Sequence, residues 1–99
     1  MGFPIGKVIG ISSRVIRAIA QAVPVVEAAS QTFGRGTNAE KKSTVMDVVR
    51  AELEAASVVV GVDLANDPAI LAAAGQINDA YVDFHKILAK RITAGGGVP

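Results

Sequence analysis

Apolar side chains recur at alternating three- and four-residue steps along three stretches of the chain, the spacing of one face of an α-helix. The stripes are Val8, Ile11, Val15, Ala18, Ala22, Val25 and Ala29, then Val45, Val49, Leu53, Ala56 and Val60, then Ile70, Ala74, Ile77, Tyr81, Phe84 and Leu88. The pattern predicts an all-α fold of three helical segments. Because the third stripe is unbroken, it predicts a coiled-coil-like packing seam. The predicted helix-packing residues are Val49, Leu53, Ile77, Tyr81, Phe84 and Leu88.

Two joints separate the three segments. Gly34 stands where a left-handed cap residue would end the first helix. Thr37 followed by Glu40 fits a capping box, so the second helix is predicted to begin near Asn38 and to end at Gly61.

The second joint leads into Asp67 and Pro68, an N-cap residue followed by the residue best suited to the first helical position. The third helix is predicted to run from Pro68 to about Ala94. The three glycines at 95–97 are predicted to stop it.

The first segment, from about Lys7 to Phe33, is predicted to be a basic amphipathic helix. Lys7, Arg14 and Arg17 cluster on the side opposite its apolar stripe. Pro24 lies inside the segment, and a break or kink is expected there because proline cannot donate a backbone hydrogen bond.

These segments suggest two units in the chain. Residues 1–35 form an N-terminal docking segment, and residues 36–99 form an antiparallel helical hairpin, about 38–60 and 68–94, with a glycine-rich C-terminal tail. The predicted partner-binding residues of the docking segment are Val8, Ile11, Val15, Ile19, Lys7, Arg14 and Arg17. The glycines at 2, 6 and 10 either form a strip for close backbone approach or belong to a flexible lead-in.

The composition predicts a small domain that needs partners. The chain has 99 residues, with seventeen Ala and fourteen Val against three Phe, one Tyr and no Trp. A chain of this length buries only about 60–65% of its unfolded surface. We therefore expect a homo-oligomer, or binding to other subunits.

The net charge is +1, so no specific nucleic-acid partner is expected. The charge is uneven, however, with four basic residues and one acid in residues 1–35 and six acids and three bases in residues 36–67. The basic part suits an anionic membrane or an acidic neighbouring subunit, and ordinary solvated charge remains the alternative. Uncharged runs near the start are short, so no standard membrane span and no cleaved signal peptide are expected.

The chain has few candidate residues for catalysis. It has no Cys, and its single histidine, His85, lies beside Phe84. No nucleophile-elbow motif accompanies it in the sequence. Asp79 and Asp83 share a helical face and suit either a divalent cation or solvated surface charge. The sequence therefore predicts neither an enzyme nor a metal, and no cofactor.

One set of motifs resembles a known group of proteins. Residues 26–46 contain Val-Glu-Ala-Ala, then Phe-Gly-Arg-Gly, then Glu-Lys-Lys-Ser-Thr-Val-Met. Residues 66–85 contain Asn-Asp-Pro, Ile-Asn-Asp-Ala and Phe-His. Together these stretches resemble short phage-encoded helical proteins, some of them holin-like proteins of the LLH group. The chain departs from that pattern at its start, where a basic helix stands in place of an apolar membrane helix.

The resemblance implies one of two roles. In the first, the protein is a non-enzymatic structural or assembly component of a bacteriophage particle, located in the virion and packing on itself or on other virion proteins. In the alternative, it is a membrane-active, holin-like lysis protein of the host inner membrane that acts through its first helix.

Overall fold

A computed structural model describes residues 5–34 and 36–95 of the chain. Three α-helices, and no strand, form within those residues: α1 is Ile5–Phe33, α2 is Asn38–Val60 and α3 is Pro68–Ala94. The all-α prediction is confirmed. The predicted ends of α2 and α3 are also correct, while α1 begins two residues earlier than the predicted Lys7.

The amino-terminal ends of α2 and α3 are capped by the residues that the sequence predicts. The Thr37 hydroxyl accepts a hydrogen bond from the backbone N–H of Glu40 at 3.1 Å. One carboxylate oxygen of Asp67 accepts from the backbone N–H groups of Ala69 at 2.9 Å and Ile70 at 3.2 Å. Each cap satisfies donors that have no partner inside their helix.

The carboxyl-terminal ends are less uniform. Gly34 and Gly61 adopt left-handed φ angles of 65° and 72°, as predicted for cap residues. Gly95 has φ −85° instead, so α3 ends without a left-handed residue at that position. The glycines at 96 and 97 lie outside the described residues.

The expected helix break at Pro24 is absent, because α1 runs through this residue as one helix. Pro24 has no N–H to donate to the carbonyl of Ala20, so the helix lacks one backbone hydrogen bond. Val23, next to the proline, is only 1% exposed and is packed in the core. We attribute the continuity of α1 to this packing, which outweighs the local preference of proline.

All three helices share one core. Its buried apolar residues are Val15, Ala18, Ile19, Val23, Val45, Val49, Leu53, Ala56, Ala65 and Ala74. Four of these lie on α1. The predicted division into a docking segment of residues 1–35 and a hairpin of residues 36–99 is therefore not a division of the core.

The side-chain contacts show that neighbouring helices run antiparallel. Lys41, near the start of α2, pairs with Glu27 in the last third of α1. Lys42 pairs with Asp79 in the middle of α3, whereas Leu53, further along α2, lines a groove with residues from the start of α3. The antiparallel α2–α3 hairpin thus agrees with the prediction.

Only one edge of the predicted seam of α3 faces the core. Ala74 of the seam is buried, and Ile70 and Tyr81 are partly buried against the core. The other buried residues of α3, Gly75 and Asn78, lie beside the seam and outside the predicted stripe. A Cβ added at Gly75 would be in ordinary contact with the stem of Lys42, 3.4 Å from its Cε.

Three predicted packing residues are consequently exposed. Ile77 is 38% exposed, Phe84 57% and Leu88 43%, while Tyr81 is half-buried against the core. Asn38, the first residue of α2, lines the same cleft as Lys86, so the part of α3 after Lys86, which includes Leu88, extends past α2. Phe84 lies before Lys86 and is exposed because of the orientation of α3. The helix-packing assignment therefore holds only for Val49, Leu53 and, in part, Tyr81.

Two isoleucines on α1 provide a matched test of this core. Ile19 is completely buried and Ile9 is 58% exposed. We expect Ile19→Ala to lower the free energy of unfolding by about 2–5 kcal/mol, because it removes core contacts and leaves a cavity. Ile9→Ala should change it by less than about 1 kcal/mol. Urea unfolding followed by circular dichroism measures both, and equal losses would contradict the orientation of α1.

Candidate interaction surfaces

The structure divides the predicted partner-binding residues of α1 into two groups. Val15 and Ile19 are buried in the core of the same chain and are not available to a partner. Val8 is 43% exposed, and Ile11 packs at the edge of the core. Only the amino-terminal part of the predicted face is therefore open to another molecule.

The predicted basic residues lie on the side of α1 that faces α2. Lys7 and Arg14 line a shallow cleft with Val59 of α2. Arg14 and Arg17 line a second cleft, to which Glu52 contributes an opposite charge. All three basic side chains belong to exposed residues and remain open to solvent or to an acidic partner.

The glycine strip proposed from the sequence does not pack against this chain. Gly6 and Gly10 lie in α1, and a Cβ at either would meet no other atom within 4 Å. Gly2 lies outside the described residues. The flexible lead-in is also wrong from Ile5 onwards, where the backbone is helical.

An apolar groove opens between the starts of α1 and α3. It has a volume of about 490 Å³ and is lined by Val8, Ile11, Ser12, Val15, Ile16, Leu53, Leu64, Ile70, Ala73, Ala74 and Ile77. Ser12 is the only polar residue among them. The groove offers a partner almost exclusively hydrophobic contact.

The outer stripe of α3, defined here as Ile77, Phe84, Ile87 and Leu88, is the second apolar surface. All four side chains are exposed, Phe84 and Ile87 to 57% each. The ring of Tyr81 lies 6.4 Å from that of Phe84, in a tilted arrangement typical of aromatic pairs. Because Ile77 belongs to both, the stripe and the groove form one continuous surface.

On the other side of α3 lies a polar cleft, defined by Glu27, Lys41, Lys42, Asn78 and Asp79. The Lys41 ammonium is 3.1 Å from a carboxylate oxygen of Glu27, and these side chains are only 17% and 13% exposed. The Lys42 ammonium lies 2.9 Å from Asp79, but this pair is 41% and 58% exposed. The first pair therefore links α1 to α2 in a partly desolvated setting, and the second links α2 to α3 at the surface.

Asn78 is the buried polar residue at the back of this cleft, with 2% exposure. Its amide nitrogen donates to Asp79 at 3.3 Å. Its amide oxygen has no hydrogen-bond partner among the described residues. A buried polar group without full pairing costs stability. The sequence analysis did not single out Asn78, because a lone amide gives no periodic signal.

Of the two carboxylates considered as a metal site, Asp79 and Asp83, the first is paired with a lysine. Asp79 accepts from Lys42, and this hydrogen bond is the main cause of the lowering of the Asp79 pKa below its ordinary 3.8. Among the described residues no group of three or more His, Cys, Asp or Glu side chains is arranged to hold a metal ion. Asp79 thus acts as an ion-pair partner.

Comparison with known proteins finds no matching family model, no similar curated protein and no similar solved structure. Within the described residues, α1 is long and apolar enough to cross a membrane by length and composition alone. The core helix of a soluble protein or a signal sequence passes the same test, so the expectation of no standard membrane span stays a prediction. In this fold, 22% of the 18-residue stretch of α1 that passes the test is buried.

The two ion pairs of the polar cleft, Lys41–Glu27 and Lys42–Asp79, should contribute differently to the free energy of unfolding. Lys41→Met leaves the Glu27 carboxylate, 13% exposed, without its partner, and we expect a loss of about 1–3 kcal/mol in unfolding free energy. Lys42→Met keeps the aliphatic stem and breaks only an exposed pair, so the loss should stay below about 1 kcal/mol. Urea unfolding at neutral pH measures both changes, and a larger loss for Lys42→Met would contradict the assigned burial.

The surface pair also predicts a pH dependence. The pKa of Asp79 is lowered in the folded state, so its ionised carboxylate stabilises the fold above pH 3.8. This contribution to the free energy of unfolding is lost as the pH falls through the lowered pKa. The small stability difference between the wild-type chain and Lys42→Met should therefore vanish in that acidic range. Unfolding curves measured across it provide the test.

Proposed function

We propose that this protein is a non-enzymatic structural subunit that assembles through its apolar helix faces on copies of itself or on other subunits. The observation that carries the proposal is the continuous apolar surface formed by the groove and the outer stripe of α3. Large contiguous apolar patches on a protein surface mark sites of interaction.

The distribution of side-chain size supports this role. Phe33 and Phe84 are 69% and 57% exposed, whereas the core consists mainly of Val and Ala with single Ile and Leu residues. Covering large exposed side chains gains about 25 cal/mol for each Å² removed from water. Assembly would therefore add apolar burial that the single chain lacks.

For the setting of this assembly, we propose a bacteriophage particle. This part of the proposal rests on the motif resemblance in residues 26–46 and 66–85. The partners would then be copies of the chain or other virion proteins, and the protein would be located in the virion.

Self-association is the first consequence to test. We expect the purified chain to sediment as an oligomer at micromolar concentration, because the exposed apolar area is large for a chain of this size. Analytical ultracentrifugation over a range of concentrations measures this. A cooperatively unfolding monomer throughout that range, with no binding to particle proteins, would contradict the proposal.

A second candidate role is supported by α1. Its length and composition would permit a membrane span, and residues 5–26 carry Lys7, Arg14 and Arg17 without any acid. A basic, apolar helix is attracted to anionic bilayers by both acyl burial and headgroup charge. In this role the protein would act as a holin-like lysis protein of the host inner membrane.

Vesicle flotation separates the two roles. If the membrane role is correct, the full-length chain should float with vesicles, more strongly when they contain anionic lipid, and replacing Lys7, Arg14 and Arg17 by Gln should reduce the difference. If the assembly role is correct, the chain should stay with the soluble fraction for both vesicle types. Flotation together with absence from purified particles would favour the membrane role.

A further inference from the structure

We infer that the occupant of the apolar surface is a second copy of this chain, bound through α3. In this arrangement the two α3 helices pack antiparallel about a two-fold axis near Ala80. The inference rests on the proposed self-assembly and adds the surface, the partner and its orientation.

The first argument is the continuity of the surface along α3. The groove includes Ala73 and Ile77, in the first half of α3. Phe84, Ile87 and Leu88 occupy the second half, at the spacing with which helix residues enter a partner groove. An antiparallel pair sets the second half of each helix against the groove of the other. The same contact is thereby made twice, as a two-fold interface requires.

The second argument is the pattern of side-chain size. Ala73 and Ala80 are exposed and alternate with the large residues Ile77 and Phe84 along the same face. Alternating small and large residues allow the side chains of facing helices to interlock. The exposed part of the coiled-coil-like seam, with Ile77, Phe84 and Leu88, is thus used between chains. Tyr81 also packs beside Phe84 and restricts the position of its ring before association.

The third argument is charge, and it determines the orientation. Residues 51–85 carry six acidic side chains and no Lys or Arg, while residues 86–95 carry Lys86, Lys90 and Arg91 and no acid. Lys86 lines the polar cleft on the other side of α3, but Lys90 and Arg91 lie further along the helix. Antiparallel pairing brings this end of one α3 towards the acidic start of the other, where Asp63 and Asp67 lie. Parallel pairing would set like charges together, which disfavours it.

The same charges argue against an anionic lipid surface as the occupant. The start of α3 is bordered by Asp63 and Asp67, which would be repelled by anionic headgroups. The basic side chains of α1 line clefts shared with α2 and contribute nothing to the lining of the groove.

Single cysteines test the geometry directly, because the natural chain has none. A disulfide requires Cα atoms within about 7 Å. Ala80→Cys should give a disulfide-linked dimer on mild oxidation with diamide, because Ala80 lies near the two-fold axis. Ala55→Cys, equally exposed but on α2, is the control and should stay largely monomeric.

A mixture of two variants tests the orientation. Ala73→Cys and Ile87→Cys lie seven residues on either side of Ala80, and both positions are exposed. Antiparallel pairing predicts that the mixed dimer forms much faster than either self-linked dimer. Self-linked dimers of each variant without the mixed product would show parallel pairing and overturn the inference.

Phe84→Gln tests the contact itself. Since Phe84 is already exposed in the single chain, the variant should keep its helicity while self-association weakens about 30-fold or more. Val58→Gln is the matched control, because Val58 is even more exposed, at 85%, but lies on α2. Its association should equal that of the natural chain.

The outcomes separate this inference from the proposed function. An oligomer that survives Phe84→Gln and does not cross-link through residue 80 would overturn the α3 interface and leave self-assembly intact. A monomer at all concentrations would overturn both. Equal weakening by Phe84→Gln and Val58→Gln would overturn the inference, because association would then depend on general hydrophobicity.

Discussion

The packing of α1 against α2 is the contact on which the rest of this fold depends. Ile19 and Val23 from α1 and Val45 and Val49 from α2 are almost completely removed from water. Each of these side chains is β-branched and has few rotamers to lose on burial. α3 is then added through residues that are smaller still, including Ala74. Without α1, the hairpin of α2 and α3 would lose the side chains that close its core.

The helix ends could be predicted because their determinants are local. Thr37 and Asp67 bond to backbone groups two or three residues away, and Gly61 adopts its left-handed angle directly after the last residue of α2. Local rules of this kind do not require knowledge of the tertiary structure. The same rules failed at Pro24, where burial of the neighbouring Val23 sustains the helix.

The orientation of α3 could not be predicted, because it depends on the fit between helices. Hydrophobic periodicity identifies the largest apolar face of a helix, and for α3 that face contains Ile77 and Phe84. The core accepts only the edge of that face, at Ala74, together with the neighbouring Gly75 and Asn78, where the stem of Lys42 packs against Gly75. Of the candidate interaction residues, Val8 is exposed as predicted, whereas Ile11 packs partly against the core. The sequence analysis did not identify Ile87, which is exposed on α3.

The outward orientation of the large side chains and the inward orientation of Asn78 have a common consequence. A helix selected only for stability of the single chain would turn Phe84 towards the core and Asn78 towards water. Here Asn78 is 2% exposed and Phe84 57%, so the single chain forgoes apolar burial and retains an incompletely paired amide. The Lys42–Asp79 pair is exposed and adds little to this orientation. The apolar burial that the single chain forgoes at Ile77 and Phe84 is the burial that the proposed assembly would supply.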